Sequence, residues 1–215
     1  MSFAALQDHA LSRSLALPAN AKELRIELRR ALLAASDNGD LRTGPSEIHR
    51  LLEVLPEPPP AVAAQLRSRG IRGNAYCIVG GDKNQERSRR LRHFERDDGA
   101  WFDFTITVRE HPGHLELLAY DFEIRFPPGT GTPFLRFDLN LPAHRNEDRE
   151  VRAHLHPGSD DVLVPALMMS PQEVLALFLR QLRRPAGREK SRAPTAFELD
   201  WFRATHQAIS ERPQL

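Results

Sequence analysis

Two histidines, His154 and His156 in the run His-Leu-His-Pro-Gly, are the residues of this 215-residue chain with the clearest chemical potential. Two apart on a strand, their imidazoles project from one face, and that spacing can chelate a metal ion or supply a paired acid and base. Asp138 offers a carboxylate from a neighbouring strand, and His144 could fold over the same surface from the loop between. Asp138, His144, His154 and His156 are therefore the candidate catalytic residues, with His154 and His156 as candidate ligands of a divalent metal. A third ligand from Asp138 or His144 would leave an open position for water. The competing interpretation is a solvated pair of histidines beside a turn. A working site requires both imidazoles exposed on one face and near a third polar group, so that alanine at either position would leave the melting temperature almost unchanged.

The elements that must position these residues are legible locally. Leu135, Phe137, Leu139 and Leu141 alternate with Arg136, Asp138 and Asn140, the period of a half-buried strand. Val151, Ala153 and Leu155 alternate with Arg152, His154 and His156 until Pro157-Gly158 turns the chain. If both strands turn their apolar sides to one core, their polar sides share the opposite face. A helix follows, with Ser170 as N-cap, Pro171 at its first position and Glu173 completing a capping box. Val174, Leu175, Phe178, Leu179 and Leu182 then recur at helical spacing, which predicts a helix against the buried side of the sheet.

Earlier in the chain, loose helical spacing covers residues 2–17, and a better-marked helix begins at Asn20 and ends near Asn38-Gly39. A helix capped by Ser46 is predicted over Glu47 to Leu55, stopped by Pro56, and another from Pro60 to about Gly70. From Asn74 the pattern alternates. Strands are predicted at Ala75 to Val79, Arg89 to Glu95, Phe102 to Arg109 and Leu115 to Phe126, the last with Leu118, Tyr120, Phe122 and Ile124 on one face. Asp97-Asp98-Gly99 and His111-Pro112-Gly113 read as turns. Residues 185–194 read as a basic linker, and a capping box at Thr195 and Glu198 opens a final helix over 195–215. The expectation is an α+β fold, an antiparallel meander with N-terminal and C-terminal helices packed on one face. Residues 1–70 form the helical segment, and 71–184 the sheet with its closing helix.

Composition narrows the function classes. With 27% charged residues and a net charge of +1, the chain is ordinary for a globular protein and carries no general polyanion signal. The single cysteine, Cys77, excludes an internal disulfide and a cysteine-based zinc site, and reads as a packed thiol. No apolar run approaches the length of a membrane span, so the expectation is a cytoplasmic protein without a membrane partner.

Two further constellations carry alternatives. Asp103, followed on the next strand by Glu123-Ile124-Arg125, resembles the carboxylate and ExK layout of metal-dependent nucleases with arginine in place of lysine; the competing interpretation is an ion-pair ladder on a wet sheet face. Registers that set Glu123 against Arg136 would satisfy the charges there. Arg87, Arg89, Arg90, Arg92 and Arg96 could contact phosphates while Phe94 or Trp101 stacks on bases, or could be a charged edge that resists aggregation. Arg89, Arg90, Arg92, Arg136 and Arg152 are the candidate nucleic-acid contacts.

Arg136-Phe137-Asp138, a loop histidine, His-Leu-His-Pro-Gly and the helix Ser-Pro-Gln-Glu-Val-Leu together resemble TumE-type toxins of bacterial toxin-antitoxin modules. The same order resembles an uncharacterised bacterial family with a closing helix started by Ser-Pro. The likeness covers about fifty residues, 134–182, and matches at Asp138, His144, His154 and His156. It implies a mobile-element or defence-linked protein; taken with the residue pattern, the expectation is a nucleic-acid-directed effector of a toxin-antitoxin or defence system, such as a nuclease, with a protein partner encoded nearby. The alternative is a non-catalytic interaction or structural subunit of a larger bacterial complex.

Overall fold

The computed structural model describes residues 15–83, 86–142 and 151–183. The chain divides into two compact units, Met1–Leu182 and Arg183–Leu215, and the first is described here. The helices read at residues 2–17 and 195–215, the linker 185–194 and His144 lie outside the described residues.

The fold is α+β, with an eight-stranded antiparallel sheet and four α-helices among the described residues. Helices α1 (Ala21–Asp37), α2 (Pro45–Leu51) and α3 (Pro60–Ser68) alternate with strand β1 (Leu52–Leu55). Then come β2 (Ala75–Gly80), β3 (Phe94–Glu95), β4 (Trp101–His111), β5 (His114–Arg125), β6 (Phe134–Leu139), β7 (Ala153–Pro157) and β8 (Val164–Pro165), and helix α4 (Pro171–Ala176). The strands are ordered β1-β2-β4-β5-β6-β7-β8, with the short β3 paired to β4. No described helix is long and apolar enough to cross a membrane.

One face of the sheet carries the main core. Leu24, Leu28 and Leu32 of α1 pack there with Val174, Leu175 and Phe178, over Phe102, Phe104, Phe122 and Ile124. Phe104 stacks on Phe122 with ring centroids 4.7 Å apart, and Phe178 meets Phe102 and Phe122 edge-on. Such aromatic pairs add about 0.5–1.5 kcal/mol each beyond their buried area. Gly80 lets Phe104 lie against the backbone, since a Cβ there would fall 2.4 Å from the ring.

The α1 and α4 caps form as the sequence predicts, with Asn20 accepting from the Glu23 amide and Ser170 and Glu173 exchanging both bonds of a capping box. Several expectations are corrected. The helix read over Glu47 to Leu55 ends at Leu51, because Leu52–Leu55 pairs with Gly80 to Cys77 as an edge strand. Of the strand read over Arg89 to Glu95, only Phe94–Glu95 pairs, as Arg89 and Arg90 occupy a turn and Leu91 a bend. Val164-Pro165 forms the short edge strand β8 against His154 and Leu155.

Helix α3 departs from the expected one-sided packing. Thr107 pairs with Ala119 but Val108 with Leu117, leaving Leu118 as the extra residue of a β-bulge. Leu118 therefore leaves the face of Tyr120, Phe122 and Ile124, and clusters with Leu66 of α3 and Leu141 on the other side. Past Ala176 the helix α4 also changes character. Leu177–Gln181 is a π-helical turn, in which the Leu182 amide donates to the Leu177 carbonyl. The Phe178 carbonyl instead accepts from Nη1 of Arg96 at 2.7 Å.

Candidate functional site

Opposite the aromatic core, the antiparallel register lays polar residues in two rows across the sheet. One row runs Thr105, Asp121, Asp138, His154, and the other Asp103, Glu123, Arg136, His156. Asp138 therefore sits directly across from His154, as a shared polar face requires. Two loops add to this surface. Lys83 donates to Asp121 at 2.7 Å, and Arg87 donates to Glu123 at 2.8 Å. From the loop between β7 and β8, Asp160 accepts from both Arg87 and Arg136.

Except for His154 and His156, these groups line a cavity of about 560 Å³, together with Val62 and Gln65 of α3. Five carboxylates face it (Asp103, Asp121, Glu123, Asp138, Asp160) against four cations (Lys83, Arg87, Arg125, Arg136).

Asp138, His154 and His156 could hold a metal ion, since their ligand atoms lie within 4.8 Å of one another. Nε2 of each imidazole stands 3.4 Å from Asp138 Oδ2. Nδ1 of His154 faces the Arg152 carbonyl at 3.3 Å, a contact that orients the ring with Nε2 toward the carboxylate. Asp138 Oδ1 and His156 Nδ1 are buried without a hydrogen-bond partner among the described residues. Burial raises the Asp138 pKa, but the two imidazoles and the Arg136 guanidinium outweigh it and hold this carboxyl well below the usual carboxylate range. It stays an anion over the whole working pH range.

The expected exposure of the two histidines is corrected. His154 is 3% and His156 6% exposed, so neither is a wet side chain beside a turn, and neither belongs to the apolar core. They are buried on the polar face, where unpaired groups are costly. The expectation that either could be removed without thermal effect rested on that exposure.

The nuclease-like carboxylate pair has a different outcome. Asp103 and Glu123 are cross-strand partners, as that layout needs, but the Arg125 guanidinium bridges both, with Nη1 on Asp103 and Nε 2.8 Å from Glu123. It occupies the place an ion would take. These side chains are also little exposed: Asp103, Glu123 and Arg125 are 3%, 4% and 4% exposed. Asp121 faces Asp138 in register; burial raises its pKa, and Lys83 offsets this in part.

Burial pushes the Asp103 carboxyl up to about 7, and Arg125 only partly offsets it. The folded state thus holds this proton more tightly than an ordinary aspartate at 3.8. The stability it contributes is fully present below that value and is lost as pH rises through about 7. Urea denaturation from about pH 4 to pH 8 is expected to show that decline, and Asp103→Asn to flatten it. An equal decline in the variant would contradict the assignment.

The candidate phosphate contacts separate into two groups. Arg89, Arg90 and Arg92 are exposed around a surface pocket of about 350 Å³, together with Arg42 and His93. Arg92 is paired with Asp82 at 2.8 Å, and Arg89 donates to the Gly99 carbonyl. Arg136 lines the main cavity, whereas Arg152 gives its guanidinium to the carbonyls of Asn140 and Leu118, the second of these at the bulge. Three residues are corrected outright. Phe94 and Trp101 are buried at 0% and 5% exposure and cannot stack on bases, and Arg96 is fully buried. Cys77 is a buried thiol 3.6 Å from the Thr107 hydroxyl, its pKa raised by burial.

Sequence reasoning missed Lys83, Arg87 and Asp160 as parts of one site. All three come from loops, where no periodicity fixes direction; only the Gly80-Gly81 turn before the charged run marks a segment able to fold back over the sheet. Comparison with protein-family models, with curated proteins and with solved structures finds nothing that matches this chain.

Proposed function

We propose that this chain is a metal-dependent phosphodiester hydrolase directed at nucleic acid, with its ion held by Asp138, His154 and His156. The observation that carries this reading is the convergence of three ligand atoms from two paired strands within 4.8 Å, beside a polar cavity. One carboxylate and two imidazoles suit ions such as Zn²⁺ or Mn²⁺, which supply a water acidified enough to attack a phosphorus at neutral pH. Asp138 keeps its charge, the Arg152 carbonyl fixes the orientation of His154, and Arg136 and Arg87 present guanidinium groups to the same cavity. The chain segment that supplies Arg87 continues into the exposed Arg89, Arg90 and Arg92, a path for a phosphate backbone leading to the cavity. The resemblance over 134–182 supports a toxin-antitoxin or defence setting in the bacterial cytoplasm, with an antitoxin-like partner encoded alongside.

The test is cleavage of labelled single-stranded and duplex oligonucleotides with Mn²⁺, Mg²⁺ or Zn²⁺. Cleavage is expected to stop with a chelator and to fall by at least about 100-fold in His156→Ala. Cleavage that survives both treatments would reject the site, and no cleavage of any nucleic acid would reject the activity. A second reading, a non-catalytic interaction subunit, draws on Val162, Val164 and Leu167, which are 48%, 42% and 67% exposed along the β8 edge.

A further inference from the structure

Arg87 and Arg136 converge on Asp160 with a geometry that buried groups hold in place. Arg87 lies over the Phe134 ring, 3.6 Å from its centroid, and donates to the buried Glu123 through Nε at 2.8 Å. Its backbone is in the left-handed region at φ +52°, the only non-glycine residue so placed among the described residues. This is a local cost kept by the surrounding contacts. Arg136 is fixed through Nε on Asp138 at 3.0 Å. The outer nitrogens of the two, Nη2 of Arg87 and Nη1 of Arg136, then meet at one carboxylate. That carboxylate belongs to the exposed tip of the β7–β8 loop: the Asp160 side chain is 52% exposed, whereas those of Arg87 and Arg136 are 28% and 20% exposed.

We infer that Arg87 and Arg136 form a binding site for a phosphate group, and that Asp160 is a displaceable internal anion that occupies it when no phosphate is bound. The guanidinium pair is built in and the carboxylate is not. An exposed ion pair of this kind contributes little, while a phosphate brings more charge and three acceptor oxygens to the same forks. Arg136 touches Asp138, so a phosphate held here lies beside the proposed ion site. The inference deepens the hydrolase reading by naming the residues that hold the substrate's phosphate, and it assigns Asp160 an autoinhibitory role.

The experiment measures binding of inorganic phosphate, and of a short single-stranded oligonucleotide, to the full chain in the presence of a chelator. Because no ion takes part, it reads the arginine pair independently of Asp138, His154 and His156, and the metal-dependent cleavage assay can fail or succeed separately. Asp160→Asn is expected to bind both probes about tenfold more tightly than the wild type, and Arg87→Ala/Asp160→Asn to lose that gain. A larger rise in melting temperature with phosphate for Asp160→Asn than for the wild type confirms the gain in the folded state. Tightening for phosphate alone assigns the site to small phosphate compounds, and tightening for both assigns it to a nucleic-acid backbone; each supports a phosphate site. Unchanged or weaker binding in Asp160→Asn would overturn it, as would a gain that survives the loss of Arg87.

Discussion

Arg96→Leu is expected to lower the unfolding free energy by about 3 kcal/mol or more, a large fraction of what a domain of this kind has. The side chain is fully buried and forms an ion pair with Asp98, and its Nη1 satisfies the carbonyl of Phe178 inside the π-helical turn. That turn leaves the Phe178 carbonyl without its ordinary helical partner, since the Leu182 amide has gone to Leu177. Leucine would strand the carbonyl in the core, and a buried acceptor without a donor costs about 1–3 kcal/mol by itself. Asp98 would suffer less, being a third exposed. Arg96→Lys keeps the charge but cannot reach both partners with one fork, and an intermediate loss is expected. Urea denaturation followed through the buried Trp101 reads both variants. A loss under about 1 kcal/mol in Arg96→Leu would mean that this contact does not hold the helix to the sheet.

Asp138→Ala is the second large effect, because it acts on stability and on the proposed ion together. Its Oδ2 faces two buried imidazoles and accepts from Arg136, so alanine leaves buried polar groups without their anion. Breaking such a buried pair costs about 3–5 kcal/mol. Zn²⁺ affinity is expected to fall by more than about 100-fold, since losing a mere outer partner of a ligand already costs about 10- to 100-fold. Asp138→Asn separates the two effects, keeping the volume and part of the hydrogen bonding while removing the charge. Scanning calorimetry with and without Zn²⁺ gives both quantities. An unchanged melting temperature together with unchanged zinc stabilisation would remove Asp138 from the account.

How much of this was legible depended on whether a signal was local. The capping box at Ser170 and Glu173 and the alternation around Asp138 and His154 are set by neighbours in sequence, and the structure places them as read. So is the shared polar face, because a period of two leaves no freedom once one face is apolar. Burial of that face was not legible: α3 lies over part of it through Leu66 and Leu118, and a one-residue bulge created that contact. Arg96 is the same lesson reversed. Within a run of arginines it resembles its exposed neighbours, and only the distant Phe178 carbonyl explains its burial. The convergence of Arg87, Arg136 and Asp160 joins three separate stretches of chain, which no spacing encodes.

The central claim is that Asp138, His154 and His156 hold one ion, and anomalous X-ray scattering from crystals soaked in Zn²⁺ tests it most directly. The account predicts a single strong peak on the polar face at about 2.0–2.2 Å from Nε2 of both imidazoles and from an Asp138 oxygen, absent from Asp138→Ala crystals. A wild-type map with no peak there, or with zinc only at other residues, would contradict it.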